Sequence, residues 1–502
     1  YGAFYTLDQI QFAPVDRSET GGGDYKNSRV SYIGRLSYGF RQKYFFDAAF
    51  NYQGSYRYNP EGGRWGFFPV VSAAWKISEE AFLKNNVSAI TNLKLRGSYG
   101  ILGTDQGEPW QYLPGILLGG NGNWEYSNGN VSNGLSSPVI VNPNITWAEN
   151  RHADIGIDIS LWNGLISLTA DVYSRENTKQ LATRTIALPN TFGGVLPQEN
   201  LNSSRNRGID IELGHRGDIG EFRYAVTGIF NYNRVMSRHQ ERAPFQSQRD
   251  RWLNGNENRW SNRQTGYILA GQFQNQEEIW NGPVYGGSAG GIRELPGDYK
   301  YVDVNNDGII NDDDARNTYA WGPTPLLNYG FTVNGQFKGF DANILFQGAG
   351  AYTMRFNEVY GEMFAFGGNL PQYFYDSWKQ TDIYTPKSAW VPGAWPVVRA
   401  NNNVGMLYAE SAAWRRNSSY VRLKNVELGY TINDQSLKAL GIQTLRIYAN
   451  AFNLLTFAND PFMKQFDPEK SNGAPGDNPA APSQGFTYPL SKNYNFGVSI
   501  SF

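Results

Sequence analysis

Apolar and polar residues alternate at period two through most of the chain. Val30, Tyr32, Gly34, Leu36, Tyr38 and Phe40 alternate with Ser31, Arg35, Ser37 and Gly39, Ile33 being the one misfit. After a short turn, Tyr44, Phe46, Ala48, Phe50 and Tyr52 oppose Asp47, Asn51 and Gln53. The same pattern returns at Ala153–Leu161, reverses at Asn163-Gly164, and resumes from Ile166 to Val172. Alternation of this kind predicts strands with one apolar face, and Asn-Gly between two such runs is a strong hairpin signal. Fourteen strands are predicted, at 3–12, 29–40, 44–54, 66–77, 91–101, 150–161, 165–176, 207–215, 221–233, 326–337, 340–347, 419–430, 443–452 and 493–502.

The links sort by length. Those after the second, sixth, eighth, tenth and twelfth strands are short and fall at one end, joined there by a longer one expected to hold a short helix from Ser78. Links 102–149, 234–325, 348–418 and 453–492 are long and fall at the other end. That parity requires the strand-like segment Thr265–Asn275 to lie within a long link. It also requires one extra residue near Lys424-Asn425, where the apolar phase slips, so a β-bulge is expected there.

The composition of the two faces indicates their solvents. A soluble sandwich packs aliphatic residues inside and charged ones outside. Here the apolar face carries Tyr, Phe and Gly, and the polar face Asn, Ser, Asp and Arg, which suits lipid outside and water within. Over 502 residues the aromatic fraction is 15% and the charged fraction 18%, and no run approaches the roughly 20 apolar residues of a membrane helix. The expected fold is therefore all-β, an antiparallel transmembrane outer-membrane β-barrel with short periplasmic turns and long extracellular loops. A net charge of −1 gives no electrostatic basis for binding nucleic acid. With no cysteine there are neither disulfides nor Cys-ligated metals. The chain opens in what reads as a strand, as expected of a processed form or a fragment. Its last strand sets Tyr494, Phe496, Val498, Ile500 and Phe502 toward lipid, and a terminal Phe resembles the signal read by the barrel-assembly machinery.

Two stretches carry candidate chemistry. Asp303, Asn305, Asp307, the Ile309 carbonyl, Asn311 and Asp314 stand at calcium-loop spacing, with Gly308 at the sharp turn. With Asp rather than Glu last and no amphipathic helix before it, a structural Ca2+ that stiffens the loop is expected, not a switch. The alternative is an Asx-rich turn. In the 348–418 loop, Tyr360, Phe364, Phe366, Tyr373 and Trp378 are the candidates for contact with a substrate or partner, against the alternative that they form the loop's own small core. No catalytic set emerges. Gly286–Gly290 matches G-x-S-x-G but lacks the strand-turn-helix that this motif needs, and His152, His215 and His239 are scattered.

Several blocks in order resemble the C-terminal half of the SusC/RagA family of TonB-dependent outer-membrane transporters. They are Phe67–Lys84 with Leu93–Gly103, then "FQNQEEI" with "PGDYKYVDVNNDGIIN", "YGFTVNGQFKGFDANILFQGAG", "SYVRLKNVELGYT", and "LRIYANAFNLLTF" with "DPE" at Asp467–Glu469. The resemblance implies a barrel of about 22 strands, of which this chain holds the later ones, and a plug domain that is absent here. It further implies import of oligosaccharides or peptides, driven by TonB-ExbB-ExbD through that plug, with a SusD-like surface lipoprotein closing over the loops. A structural or assembly role inside a larger outer-membrane complex is the alternative.

Overall fold

A computed structural model describes residues 27–502, apart from 115–123, 127–129, 133–139, 186–195, 287–292, 356–360, 365–366, 386, 401–405, 433–440, 461, 464–466 and 471–489. Thirteen long strands form one antiparallel sheet. They are β1 (Arg29–Phe40), β2 (Tyr44–Ser55), β3 (Trp65–Lys76), β4 (Ile90–Thr104), β5 (Ala148–Leu161), β6 (Ile166–Thr183), β7 (Gln198–Ile219), β8 (Phe222–His239), β9 (Leu327–Phe337), β10 (Phe340–Gly350), β11 (Tyr420–Ile432), β12 (Thr444–Ala458) and β13 (Asn493–Ser501). Each pairs with its neighbour in sequence, and the two-residue strand Arg259–Trp260 adds to β8 as the sheet's fourteenth member. The strand expected at 3–12 lies outside the described residues.

The faces are those the alternation predicts. Ile155 is 66% exposed and Phe496 85%, and Tyr494, Val498, Ile500 and Phe502 share the bare outer face with them. The inner face is polar and laced by side-chain amides. Asn343 Nδ2 donates to Asn334 Oδ1 at 2.6 Å and Asn425 Nδ2 to Asn343 Oδ1 at 3.2 Å. Farther round, Asn450 Nδ2 donates to Glu427 Oε2 at 3.3 Å and Asn495 Nδ2 to Asn450 Oδ1 at 2.8 Å. Arg446 joins Asp341 and Glu427 on the same wall. Water must solvate such a face, because unpaired polar groups facing hydrocarbon would cost several kcal/mol each, about as much as an unmade buried hydrogen bond.

The bulge falls where the phase slip places it. Phe346 pairs with Leu423 and Leu345 with Asn425, so Lys424 is the extra residue, and the ladder to β12 shifts at the same point. Short turns close one end. Lys338 and Gly339 both have positive φ, as a two-residue hairpin with the twist of its strands requires. Arg41 and Gln42 adopt the same region without glycine. The short helix expected from Ser78 is a 3-10 turn, Ile77–Glu79, followed by one α-helical turn, α1 (Ala81–Lys84).

The strands differ most from expectation at the opposite end. β7 has 22 residues against the nine predicted at 207–215, and β6 and β8 also run on, to Thr183 and His239. A spanning strand needs only about 9–11 residues, so β6 to β8 stand well above the lipid as a raised wall. The segment Thr265–Asn275 lies in a long link, as expected, where Arg263–Gly266 and Leu269–Gln272 pair with other loop strands and not with the wall.

Candidate functional site: the external loop unit

The links after β8, β10 and β12 do not hang separately. They share one core, in which Tyr267, Phe273, Tyr285, Tyr299, Tyr301 and Ile310 come from the first, Met363, Phe374, Trp395, Leu407, Ala413 and Trp414 from the second, and Met463 from the third. Aromatic edges hold it. Tyr373 lies 4.7 Å from Trp395 and 4.8 Å from Phe462, and Tyr299 meets Trp414 edge-on at 5.5 Å. Aromatic pairs of this kind contribute about 0.5–1.5 kcal/mol each beyond their buried area. Backbone joins the links too, with Tyr267 N donating to Glu410 O at 2.8 Å.

This arrangement places the predicted loop aromatics. Trp378 is 3% exposed, with its Nε1 donating to Gln272 Oε1 at 3.3 Å in the preceding link. Phe364 and Tyr373 pack half-buried against the core. All three thus build the unit, and little of them is open to a ligand. Tyr360 and Phe366 lie outside the described residues. The bare side chains are others: Tyr375 is 86% exposed, Tyr384 89%, and Ile383 beside it is nearly as open. Asp382 anchors this turn, its carboxylate accepting from Tyr384 N at 2.9 Å and Thr385 Oγ1 at 2.6 Å. No periodic signal separates Tyr375 from Phe374 next to it, so sequence alone could not tell surface from core here.

The acidic turn has the curl of a cation loop. Asp303 Oδ2 accepts from Gly308 N at 2.8 Å, and Gly308 sits at φ +78°. Asn305 Oδ1 accepts from Asp307 N at 3.2 Å, Asp307 Oδ1 from Ile309 N at 2.8 Å, and Asn311 Oδ1 from Asp313 N at 2.7 Å. Asp314 is fully buried and clasps the two ends, accepting from Val304 N at 2.7 Å and Asn311 N at 3.0 Å. Asp303 Oδ1 is buried without a hydrogen-bond partner, which is the oxygen a cation would take. Among the described residues, no three His, Cys, Asp or Glu side chains converge closely enough to hold a metal by themselves. The fit therefore depends on the amide and carbonyl oxygens as well, and it rests on that one orphaned oxygen.

A second polar knot binds two of the links. Arg399 pairs with buried Asp298 and donates to Arg293 O at 3.0 Å. Beside it Glu294 is buried with Oε2 unpartnered, and burial pushes its carboxyl above the ordinary value of 4.5. The native unit thus holds this proton more tightly than the unfolded chain. Its contribution is most favourable below about pH 4.5 and is lost as pH rises through the raised value. Glu294→Gln should accordingly raise the protease resistance of the unit at pH 7.5 and leave it unchanged at pH 4, as limited proteolysis at the two values would show.

A third knot ties the last link to the wall. Arg422, on β11 and almost fully buried, donates to Asp467 at 2.6 Å, to Glu469 at 2.7 Å and to Thr456 on β12 at 2.9 Å. Lys424, the bulge residue, adds a contact to Glu469 at 2.9 Å. Tyr352 Oη donates to Pro468 O at 2.8 Å.

No protein-family model matches the chain. It is 27% identical over 495 residues to TonB-dependent receptor P26 of Formosa agariphila, covering 95% of this chain and 47% of that protein. It is 25% identical over 501 residues to TonB-dependent receptor SusC of Bacteroides thetaiotaomicron, covering 95% and 44%. Among solved structures it superposes on a chain of the RagAB peptide importer in its closed-closed state, with a TM-score of 0.69 at 21% identity, covering 95% of this chain and 48% of that one. The chain therefore spans about half the length of the curated relatives it matches.

Proposed function

We infer from these likenesses that the chain is an outer-membrane β-barrel of the SusC- and RagA-like TonB-dependent receptors, and we propose that the protein imports oligosaccharides or peptides across that membrane. The observation that carries this is the external unit, in which three links are fused over the end of a polar-lined sheet. In this reading the bare Tyr375, Ile383 and Tyr384 meet a SusD-like surface lipoprotein, and energy reaches the barrel from TonB-ExbB-ExbD through a plug. The chain's part is non-enzymatic: it presents a surface and a polar wall.

Deleting the protein and measuring whole-cell uptake of labelled oligosaccharides and of labelled peptides tests the proposal and selects the substrate class. Unchanged uptake of both, with fixed-stoichiometry recovery of the barrel in an outer-membrane assembly, would replace it with the platform role.

The same proposal gives the acidic turn a structural Ca2+, held by Asp303, Asn305, Asp307, Asn311, Asp314 and the Ile309 carbonyl. The double change Asp303→Ala/Asp307→Ala should then leave residues 240–326 protease-sensitive whether or not calcium is added, whereas the natural protein gains resistance with it. Equal behaviour of both with and without calcium would remove the ion.

A further inference from the structure

The periplasmic link between β3 and β4 does not hang below the sheet. It folds up against the outer rim. Tyr44 and Trp75 are register partners at the periplasmic ends of β2 and β3, and their rings stack at 6.5 Å and 15°. Both belong to the outward, lipid-facing set, and both are open at their outer faces. Their polar tips converge on one carboxylate: Tyr44 Oη donates to Glu80 Oε1 at 2.6 Å and Trp75 Nε1 to the same oxygen at 3.1 Å. Lys43 Nζ takes Oε2 at 3.0 Å. Glu79 is bracketed in turn by Lys76 at 3.2 Å and Lys84 at 2.8 Å.

From this fixed point α1 carries Phe82, which is 60% exposed. A short helical turn pinned to lipid-facing Tyr and Trp is continuous with the apolar band, and Tyr and Trp take that position at membrane interfaces because one end is apolar and the other wet. Each lysine ammonium has three N–H donors, so those on Lys43, Lys76 and Lys84 exceed what two carboxylates require. Phosphate is the anion at that depth.

We propose that residues 76–84 form a lipid-seated foot, with Phe82 resting among the phospholipids of the periplasmic leaflet and Lys43, Lys76 and Lys84 facing their phosphates. The foot fixes the height of the barrel in the membrane from outside the sheet, independently of the strands' own apolar band.

Residues 1–502 contain no cysteine, so Phe82→Cys can carry an environment-sensitive dye in the whole receptor, cleared of cysteines elsewhere and placed in phospholipid nanodiscs. Nitroxides near the lipid headgroup should quench that dye several-fold more than aqueous iodide does. The same dye at Glu221→Cys, in the β7–β8 turn at the same end of the sheet, should show the reverse. Adding Glu80→Gln should release the foot and raise iodide access at position 82. Iodide quenching at position 82 equal to that at 221 would overturn the proposal. So would shielding that appears only when periplasmic extract is added, which would assign the surface to a protein. An unchanged signal with Glu80→Gln would overturn the tether.

Discussion

Arg422→Met should detach the last external link from the barrel wall. The guanidinium is the shared partner of Asp467 and Glu469, and Arg422 and Asp467 side chains are only 3% and 5% exposed. Removing one member of a buried ion network leaves the others charged and unpaired, which costs about 3–5 kcal/mol. Asp467 keeps backbone donors from Glu469 at 3.0 Å and Leu490 at 2.8 Å, and Glu469 keeps Lys424, so the loss should fall toward the lower figure. The measurement is hydrogen exchange and protease cleavage at 467–470 and 490–492, with strand β11 as internal reference. Replacing the three together, as Arg422→Met/Asp467→Leu/Glu469→Met, should restore most of the protection, because an apolar substitute of similar volume often matches a buried triad. If the single variant is as protected as the natural protein, the network does not hold the link.

The second large effect concerns which way β13 faces. Val498 pairs with Ile447 on the bare outer face, and Ser499 pairs with Arg446 on the polar wall. An arginine facing lipid near mid-membrane costs roughly 2–4 kcal/mol, whereas lumen-facing changes are mild. Val498→Arg should therefore prevent assembly, read as loss of the heat-modifiable folded band and of outer-membrane yield. Ser499→Arg should assemble, since the added charge meets water, although repulsion from Arg446 will weaken it slightly. Equal yields of the two variants would reverse the assignment of faces.

The sequence revealed the sheet within the membrane because burial there is one-sided, and a period of two cannot satisfy lipid and water with any other register. Above the membrane that constraint ends. Gln198–Asn206 extends β7 with hardly an apolar residue, held by backbone pairing and contacts such as Arg205 to Glu176 at 3.0 Å. A wall wet on both sides has no alternation to read. The external unit was opaque for a different reason. Trp378 is buried by Gln272 and its neighbours, more than a hundred positions away, and no local pattern encodes such a pairing. The turn at 303–314 was legible because the bonds that curl it are local, from Asp303 to Gly308 through Asp314 to Val304, although Tyr267 and Arg249 also reach it from farther along the chain. The foot was half visible, since Ser78 marked a helix start, but nothing in the spacing joined Glu80 to Tyr44.

That three links share a single core has a consequence for biogenesis. Until β9 to β12 have zipped together, Tyr301, Trp414 and Met463 lie on links whose flanking strands are not yet neighbours, so the shared core cannot close ahead of the sheet. The surface cap is thus the last part to set. Its compactness reports that threading through the membrane has finished, and a chain stalled partway would display loose, sticky aromatic loops that quality-control proteases can recognise.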